Sequence, residues 1–353
     1  MALWADKYRP KKIEDLDYNV GQLNMLKQMV STNDFPHLLF VGPDGCGKRT
    51  RIHCLLNEIY GQGIYNLRNT TLDMETVKGK PLKINAVDSK YHIEVCPSEA
   101  GYNDRVVVQQ VIKNIAGTVA DPAFYKKSFR VVVIDEAELL SIDAQQALRR
   151  TMEKYAGSCK LFLCCTSLNK ILEPVISRCM VVRLPAPSSE NVVKVLKYVG
   201  ANECLNLSDS FCALLAKKCE RNLRRCLVTL EMSVAKHGKN TFYDAEKQIA
   251  VMDWRIHIQA IAEKVMARPD ADGVLDVRRM LYEIINRLIP MNIIFEYLTL
   301  ELAKRVSDTE KWVLYNAASK YQHLSMFGEK PIVFLEAFLL GFLSQRAEMM
   351  AKK

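Results

Sequence analysis

The stretch VGPDGCGKRT, residues 41–50, has the glycine and lysine spacing of a phosphate-binding loop. Its glycines let the backbone wrap around an anion without Cβ clashes, and Lys48 can place a positive charge beside terminal phosphates. Arg49, however, stands where such a loop carries the Ser or Thr hydroxyl that coordinates magnesium, and Thr50 comes one position too late. The spacing predicts a nucleotide site formed by Gly42, Gly45, Cys46, Gly47, Lys48, Arg49 and Thr50.

Two acids supply the second chemical signal. Asp135 and Glu136 follow the apolar run at residues 132–134, so we expect them at the tip of a buried strand. Asp135 is predicted to hold magnesium through water, and Glu136 to orient or deprotonate an attacking water. Acids that only cap a strand end are the alternative, but the presence of a phosphate loop in the same chain favours the functional interpretation.

The elements around these residues must bring them to one place. Residues 36–41 read as a buried strand, and residues 48–60 have apolar side chains at helical spacing before Gly61. A strand, a glycine turn and a helix direct the N–H groups of the helix N-terminus at an anion. The alternative is a glycine-rich turn with a chance lysine, and the strand before the turn and the helix after it favour phosphate binding. In a parallel sheet, the loop and the acids would meet at the same edge.

The order of elements predicts an α/β domain followed by helices. Short apolar runs at 130–134, 161–165 and 181–184 are typical of parallel strands covered by helices on both faces. After residue 188 the strand pattern stops, and helical patterns continue to the end. We therefore predict an α/β core at 1–186, a small helical domain at 187–252 and a helical C-terminal domain at 253–353.

Composition sets broad limits. The 353 residues carry a net charge of +9, a mild bias towards polyanions such as nucleic acid. The eleven cysteines include no CxxC pair and no His cluster accompanies them, which indicates a reducing compartment. Cys164 and Cys165 in an apolar run, and Cys212, Cys219 and Cys226 on one helical face, are predicted to be buried free thiols and not metal ligands. No apolar run reaches the roughly 18 residues of a membrane span.

Three further segments make the pattern specific. They are WADKYRP at 4–10, AQQALRRTMEKY at 144–155 and SRC at 177–179. Together with the loop, they resemble the small subunits of eukaryotic sliding-clamp loaders, the replication factor C family of AAA+ ATPases, over essentially the whole chain. The resemblance implies an AAA+ P-loop core, a helical lid and an all-helical collar that joins five subunits into an open ring.

The resemblance also implies roles for residues outside the loop. Tyr8, Arg9 and Pro10 would lie beside the adenine base. Thr166 would take the place of the first sensor, which is usually Asn, and Arg224 would reach the γ-phosphate from the lid as the second sensor.

Arg178 would be an arginine finger that acts in trans on a neighbouring subunit. A guanidinium stabilises the charge of the phosphoryl transition state, so such a finger couples hydrolysis to assembly. A solvated arginine at a strand end is the alternative. Arg105 and Lys113 would contact DNA phosphates, although either could equally be an ordinary surface charge.

The departures from the family pattern resemble one position in the ring. Arg49 and Thr166 fit the end-of-arc small subunit, whose own nucleotide site is degenerate. We expect ATP or ADP in the site, with Mg²⁺ weak or absent, and the intact Asp135–Glu136 pair leaves residual hydrolysis open.

The expected function is loading of the sliding clamp onto primer–template DNA in nuclear replication and repair. Expected partners are the other replication factor C subunits, bound through the collar, the clamp and the DNA, and also alternative checkpoint or cohesion loaders, with no membrane contact. The alternatives are a catalytically active ATPase subunit of the same loader and, disfavoured because Arg178 would have no neighbouring site, a stand-alone AAA+ DNA motor.

Overall fold

The computed structural model describes residues 2–16, 18, 20–32, 36–75, 81–117, 129–238, 249–268, 270–328 and 330–351. The chain divides into two units, residues 1–250 and 251–353. This division lies two residues from the predicted start of the collar at 253. The further predicted boundary at 186/187, between core and lid, stays a prediction.

A mixed sheet forms the centre of the first unit. Its strands, in chain order, are β1 His37–Val41, β2 Arg68–Glu75, β3 Pro81–Asp88, β4 His92–Val95, β5 Arg130–Ile134, β6 Cys159–Cys165 and β7 Cys179–Arg183. Within the described residues their spatial order is β2-β3-β4-β5-β6-β1-β7. The strands from β4 to β7 in this order pair in parallel, whereas β2, β3 and β4 pair antiparallel. The predicted α/β class is confirmed, but β2 and β3 were not predicted.

Helices cover both faces of the parallel strands. Among the described residues of the first unit, the helices are α1 Trp4–Lys7, α2 Val20–Thr32, α3 Lys48–Tyr60, α4 Asp104–Gly117, α5 Ile142–Lys154, α6 Glu173–Ile176, α7 Ser189–Asn202, α8 Asp209–Lys218 and α9 Leu223–His237. Successive strand residues point to opposite faces, so Leu38 and Phe40 pack in the core beneath α2 and α3, while Leu39 packs in the core beneath α4 and α5. This two-sided burial explains the continuous apolar runs.

Cys164, Cys165, Cys212, Cys219 and Cys226 are buried as predicted, whereas Cys204 is exposed and Cys96 and Cys179 are half-buried. The placement of Cys212, Cys219 and Cys226 was predicted wrongly. All eleven are free thiols, and Cys212, Cys219 and Cys226 are at most 3% exposed. They do not share one helical face, because Cys212 lies on α8, Cys219 ends that helix and Cys226 lies on α9. The seven-residue repeat spans a turn at Glu220 and Arg221, and the three thiols meet in one core from two helices.

The second unit is helical, as predicted. Its helices are α10 Asp253–Ala267, α11 Ala271–Asn286, α12 Met291–Ala303, α13 Asp308–Ser325 and α14 Pro331–Ala351. Leu335, Phe338 and Leu339 are buried in its core, whereas Leu288 is 89% exposed. No helix in the described part of the chain is long and apolar enough to span a membrane.

Candidate nucleotide-binding site

The loop after β1 forms an open anion cradle. Gly45 and Gly47 have φ angles of +73° and +90°, which favour glycine, and α3 begins at Lys48 without a side-chain cap. Gly42 anchors the loop to the sheet by donating to the Cys165 carbonyl at 3.2 Å. Among the described residues, the N–H groups of Gly45 and Gly47 have no protein acceptor, whereas the Lys48 N–H lies against the Cys46 sulfur. The loop therefore offers backbone donors to a phosphate at the start of α3.

Lys48 lies against this loop. Its Nζ donates to the carbonyl oxygens of Gly42 at 2.6 Å and Pro43 at 3.2 Å, and lies 3.6 Å from the Asp44 carboxylate. The ammonium is therefore held against the backbone of the loop, and its predicted contact with phosphates stays a prediction.

Arg49 is bound to two acids. Its NH2 donates to Glu94 Oε2 at 2.6 Å, and its NH1 lies 3.3 Å from Asp135 Oδ2. Burial alone would lower the pKa of Arg49, but the hydrogen bond and the charge of Glu94, with that of Asp135, raise it. Position 49 therefore carries a fixed cation that occupies the carboxylate predicted to hold magnesium.

Glu94 is the buried acid that anchors Arg49, and the sequence did not identify it. Its carboxylate is 6% exposed, 2.6 Å from His53 Nε2 and 3.4 Å from His92 Nε2. Burial alone would raise its pKa, but His53, His92 and Arg49 together hold the pKa well below its usual range. The one available signal was a charged residue inside the short buried strand β4.

Glu136 is turned towards the loop that follows β4. Its backbone is left-handed, with φ +51°. Its Oε2 accepts from Ser98 Oγ at 3.4 Å and from Cys96 Sγ at 3.6 Å. The structure thus brings Asp135 to the phosphate loop through Arg49, while Glu136 contacts neighbouring side chains.

Thr166 follows β6, the strand between β5 and β1, and is bound to Glu138. Its amide and hydroxyl donate to Glu138 Oε1 at 3.1 and 2.7 Å. Glu138 was not predicted as a site residue. This pairing fixes Thr166 at the end of the strand, and its role as first sensor stays a prediction.

The N-terminal residues predicted beside adenine pack on α7 and α3. Tyr8 donates to Glu203 Oε1 at 2.7 Å and meets the edge of the Tyr198 ring at 6.4 Å. Arg9 pairs with Asp6 at 2.8 Å. The Pro10 carbonyl accepts from the Cys54 thiol of α3 at 3.4 Å.

The start of α9 reaches the phosphate loop. Asn222 caps this helix by accepting from the Arg225 amide at 3.1 Å, and a Cβ on Gly45 would lie 1.9 Å from its Oδ1. Arg224, two residues further, is exposed and makes no ion pair or hydrogen bond with the described residues. The second-sensor candidate therefore lies on the element that contacts the loop.

Arg178 lies at the start of β7, at the surface. It donates to Glu153 Oε1 at 2.7 Å from Nε and to the Pro174 carbonyl at 2.8 Å from NH1. Arg105 and Lys113 are exposed on α4. Their predicted roles, in trans catalysis and in DNA binding, stay predictions.

The donors fit a nucleotide better than a metal. No group of three or more His, Cys, Asp or Glu side chains in the described ranges is arranged to hold an ion. With Arg49 on Asp135 and no hydroxyl at position 49, the loop does not fit a magnesium ion held in the usual way.

Two family models and several curated proteins match this chain. The model of the replication factor C subunit 3 C-terminal domain matches residues 254–349, and that of the DNA polymerase III delta subunit matches 19–188. Replication factor C subunit 3 of Bos taurus is 40% identical over 98% of this chain and 96% of its own length. The chain belongs to the replication factor C family. The predicted resemblance to these clamp-loader subunits is therefore confirmed.

Similar replication factor C proteins come from distant organisms. The probable replication factor C subunit 3 of Dictyostelium discoideum is 40% identical over 97% of this chain and 98% of its own length. Replication factor C subunit 5 of Schizosaccharomyces pombe is 38% identical over 97% of this chain and 96% of its own length. Among solved structures, the RuvB branch migration motor of Thermotoga maritima has a TM-score of 0.48 and 13% identity, over 77% of this chain and 85% of that one.

Proposed function

We propose that this chain is a small subunit of a five-membered clamp loader that uses ATP to open a sliding clamp and load it onto primer–template DNA in replication and repair. Family membership supports this role. The helical second unit exposes large apolar side chains on α13 and after it, which a partner subunit would cover: Trp312, Met326 and Phe327. The other partners are the clamp, the DNA and alternative checkpoint or cohesion loaders, and the location is the nucleus.

The chain binds ATP or ADP but hydrolyses little of it. The observation that carries this proposal is Arg49, held at 2.6 Å by Glu94 and at 3.3 Å from Asp135. A guanidinium fixed there supplies positive charge near the phosphates and repels Mg²⁺, which is therefore weak or absent. Without the metal, the phosphoryl transition state loses a main source of charge stabilisation.

Arg178 supplies the arginine finger of a neighbouring subunit. Its side chain is 31% exposed next to a strand end, and its acidic partner Glu153 is 53% exposed, so the pair is solvent-screened and weak enough to be exchanged for another partner. Arg105 and Lys113 on the exposed face of α4 contact DNA phosphates without reading sequence.

An active ATPase subunit is the second candidate, favoured by the intact Asp135–Glu136 pair. Single-turnover hydrolysis by the assembled loader separates the two. We expect Arg178→Ala to slow the neighbouring site by about 10³-fold or more, and Lys48→Ala to leave hydrolysis nearly intact. Arg183→Ala, at the exposed end of the same strand, is the matched control.

The opposite pattern would support the second candidate. A large loss with Lys48→Ala and none with Arg178→Ala would show that this chain hydrolyses ATP by itself. A stand-alone motor would instead purify as an active monomer, which sizing of the native protein detects.

A further inference from the structure

Arg51 is a buried cation behind the phosphate loop, and it lies outside the sequence pattern that defines such loops. It lies on the first turn of α3, three residues after Lys48, and is 1% exposed. Its described partners are three backbone carbonyls and the face of one aromatic ring. A buried guanidinium is costly to desolvate, so its placement under the loop needs a physical reason.

The contacts of Arg51 fix the back of the loop. NH1 donates to the carbonyls of Cys46 at 3.0 Å and Gly47 at 3.5 Å, and NH2 donates to the carbonyl of Tyr18 at 3.0 Å. The Tyr18 ring lies 4.4 Å from the guanidinium carbon, and the Tyr18 hydroxyl donates to the same Cys46 carbonyl at 3.2 Å. Two side chains thus hold the same peptide unit.

Glycine at position 47 makes this approach possible. A Cβ there would lie 2.7 Å from the Tyr18 hydroxyl and 2.9 Å from Arg51 NH1. A side chain at 47 would therefore push both donors away from the loop, whatever its effect on the positive φ angle.

The carbonyls that Arg51 contacts belong to two peptide units whose N–H groups lie on the opposite side, towards the cradle. The Cys46 carbonyl shares its peptide with the Gly47 N–H, and the Gly47 carbonyl shares its peptide with the Lys48 N–H. In a trans peptide the C=O and N–H point in opposite directions, and the described peptides are all trans. A charged donor on the carbonyl polarises the peptide and strengthens its N–H as a donor.

We propose that Arg51, together with Tyr18, is a positioning residue that holds the loop ready for the β-phosphate of a nucleoside diphosphate or triphosphate. The guanidinium acts through the N–H groups of Gly47 and Lys48 and adds positive charge behind them. An anion seated in front offsets the cost of burying the cation. The inference rests on the nucleotide binding proposed above and explains how a site with Arg49 in place of the metal-binding hydroxyl holds phosphate.

The test compares ADP with AMP, which lacks the β-phosphate. The full chain is titrated with each nucleotide in EDTA, as wild type, Arg51→Met, Arg51→Lys and Tyr18→Phe. Arg346→Met, which removes a guanidinium from the second unit, is the matched control. Unfolding temperatures without nucleotide are measured in parallel.

We expect Arg51→Met to weaken ADP binding about tenfold or more, the effect of losing charge-assisted hydrogen bonds. AMP affinity should stay within about twofold of wild type, because the polarised donors face the β-phosphate. Arg51→Lys should keep part of the ADP affinity that Arg51→Met loses, and Tyr18→Phe should weaken ADP binding less than Arg51→Met does. Arg346→Met should leave the affinity for both nucleotides unchanged.

Equal ADP affinity of Arg51→Met and wild type, or an equal loss for ADP and AMP, would overturn the proposal and leave Arg51 a structural residue. If Arg51→Met does not fold, unchanged ADP affinity in both Arg51→Lys and Tyr18→Phe overturns it as well. Failure of the wild-type chain to bind ADP or ATP at all would instead defeat the proposed nucleotide binding, and this inference with it.

Discussion

At the scale of single residues, the site depends on how one buried acid is satisfied. Glu94 contacts Arg49, His53 and His92 in a place where it is 6% exposed. A carboxylate in this position is costly unless a cation such as the Arg49 guanidinium and polar neighbours satisfy it. Glu94 in turn holds the Arg49 guanidinium next to Asp135. The arginine that replaces the usual Ser or Thr at position 49 is therefore held in place by acids outside the loop pattern.

Glu94→Gln tests this arrangement through pH. The pKa of Glu94 is lowered from an ordinary value of 4.5, so the ionised acid stabilises the fold above that pH and loses its contribution as the pH falls further. We expect Glu94→Gln to lower the free energy of unfolding by about 1–3 kcal/mol at pH 7. The difference from wild type should shrink below about pH 4.5. Urea denaturation at several pH values measures it, and a difference that stays constant with pH would contradict the assignment.

At the scale of elements, the loop and α3 were predictable from sequence because their signals are local. The predicted helix at 48–60 matches α3, and Gly61 ends it with φ +85°. The contacts of Arg49 with Glu94 and Asp135 were not predictable, because they depend on β4 pairing beside β5. The polar strands β2 and β3 were missed because they are half exposed and lack an apolar run.

A glycine in the loop before α3 and the glycine that ends α3 provide a matched pair for an element-scale prediction. Gly45 and Gly61 both have positive φ, but an added Cβ meets Asn222 only at Gly45 and open space at Gly61. Gly45→Ala and Gly61→Ala should each cost roughly 1–2 kcal/mol of stability through backbone strain. Only Gly45→Ala should also weaken ADP binding, because it displaces the start of α9. Thermal unfolding and ADP titration distinguish them, and equal binding by both variants would refute the loop–α9 contact.

At the scale of the whole molecule, family membership places this chain in an assembly, and the second unit carries surface that suits one. Trp312 is 72% exposed on α13, so most of this large apolar side chain is open to a partner. Trp312→Ala should reduce recovery of the co-expressed five-subunit complex several-fold, because truncating a buried aromatic at an interface costs about 2 kcal/mol or more. Gln322→Ala on the same helix is the control.

The readout for Trp312→Ala is size-exclusion chromatography of the co-expressed subunits, with the unfolding temperature of the single chain measured separately. Full recovery of the complex would show that this part of α13 is not a subunit interface. A lowered unfolding temperature would show instead that Trp312 supports the fold of the second unit.

The proposed behaviour of the nucleotide site depends on the guanidinium at position 49 standing in for the metal. ADP binding by the full chain, titrated in Mg²⁺ and again in EDTA, is the sharpest test, with Arg49→Thr as the comparison. We predict nearly equal affinities for wild type in the two buffers and a gain of magnesium dependence, about tenfold (1.4 kcal/mol), in Arg49→Thr. A wild-type chain that loses ADP in EDTA by the same factor would show that Arg49 does not replace the metal.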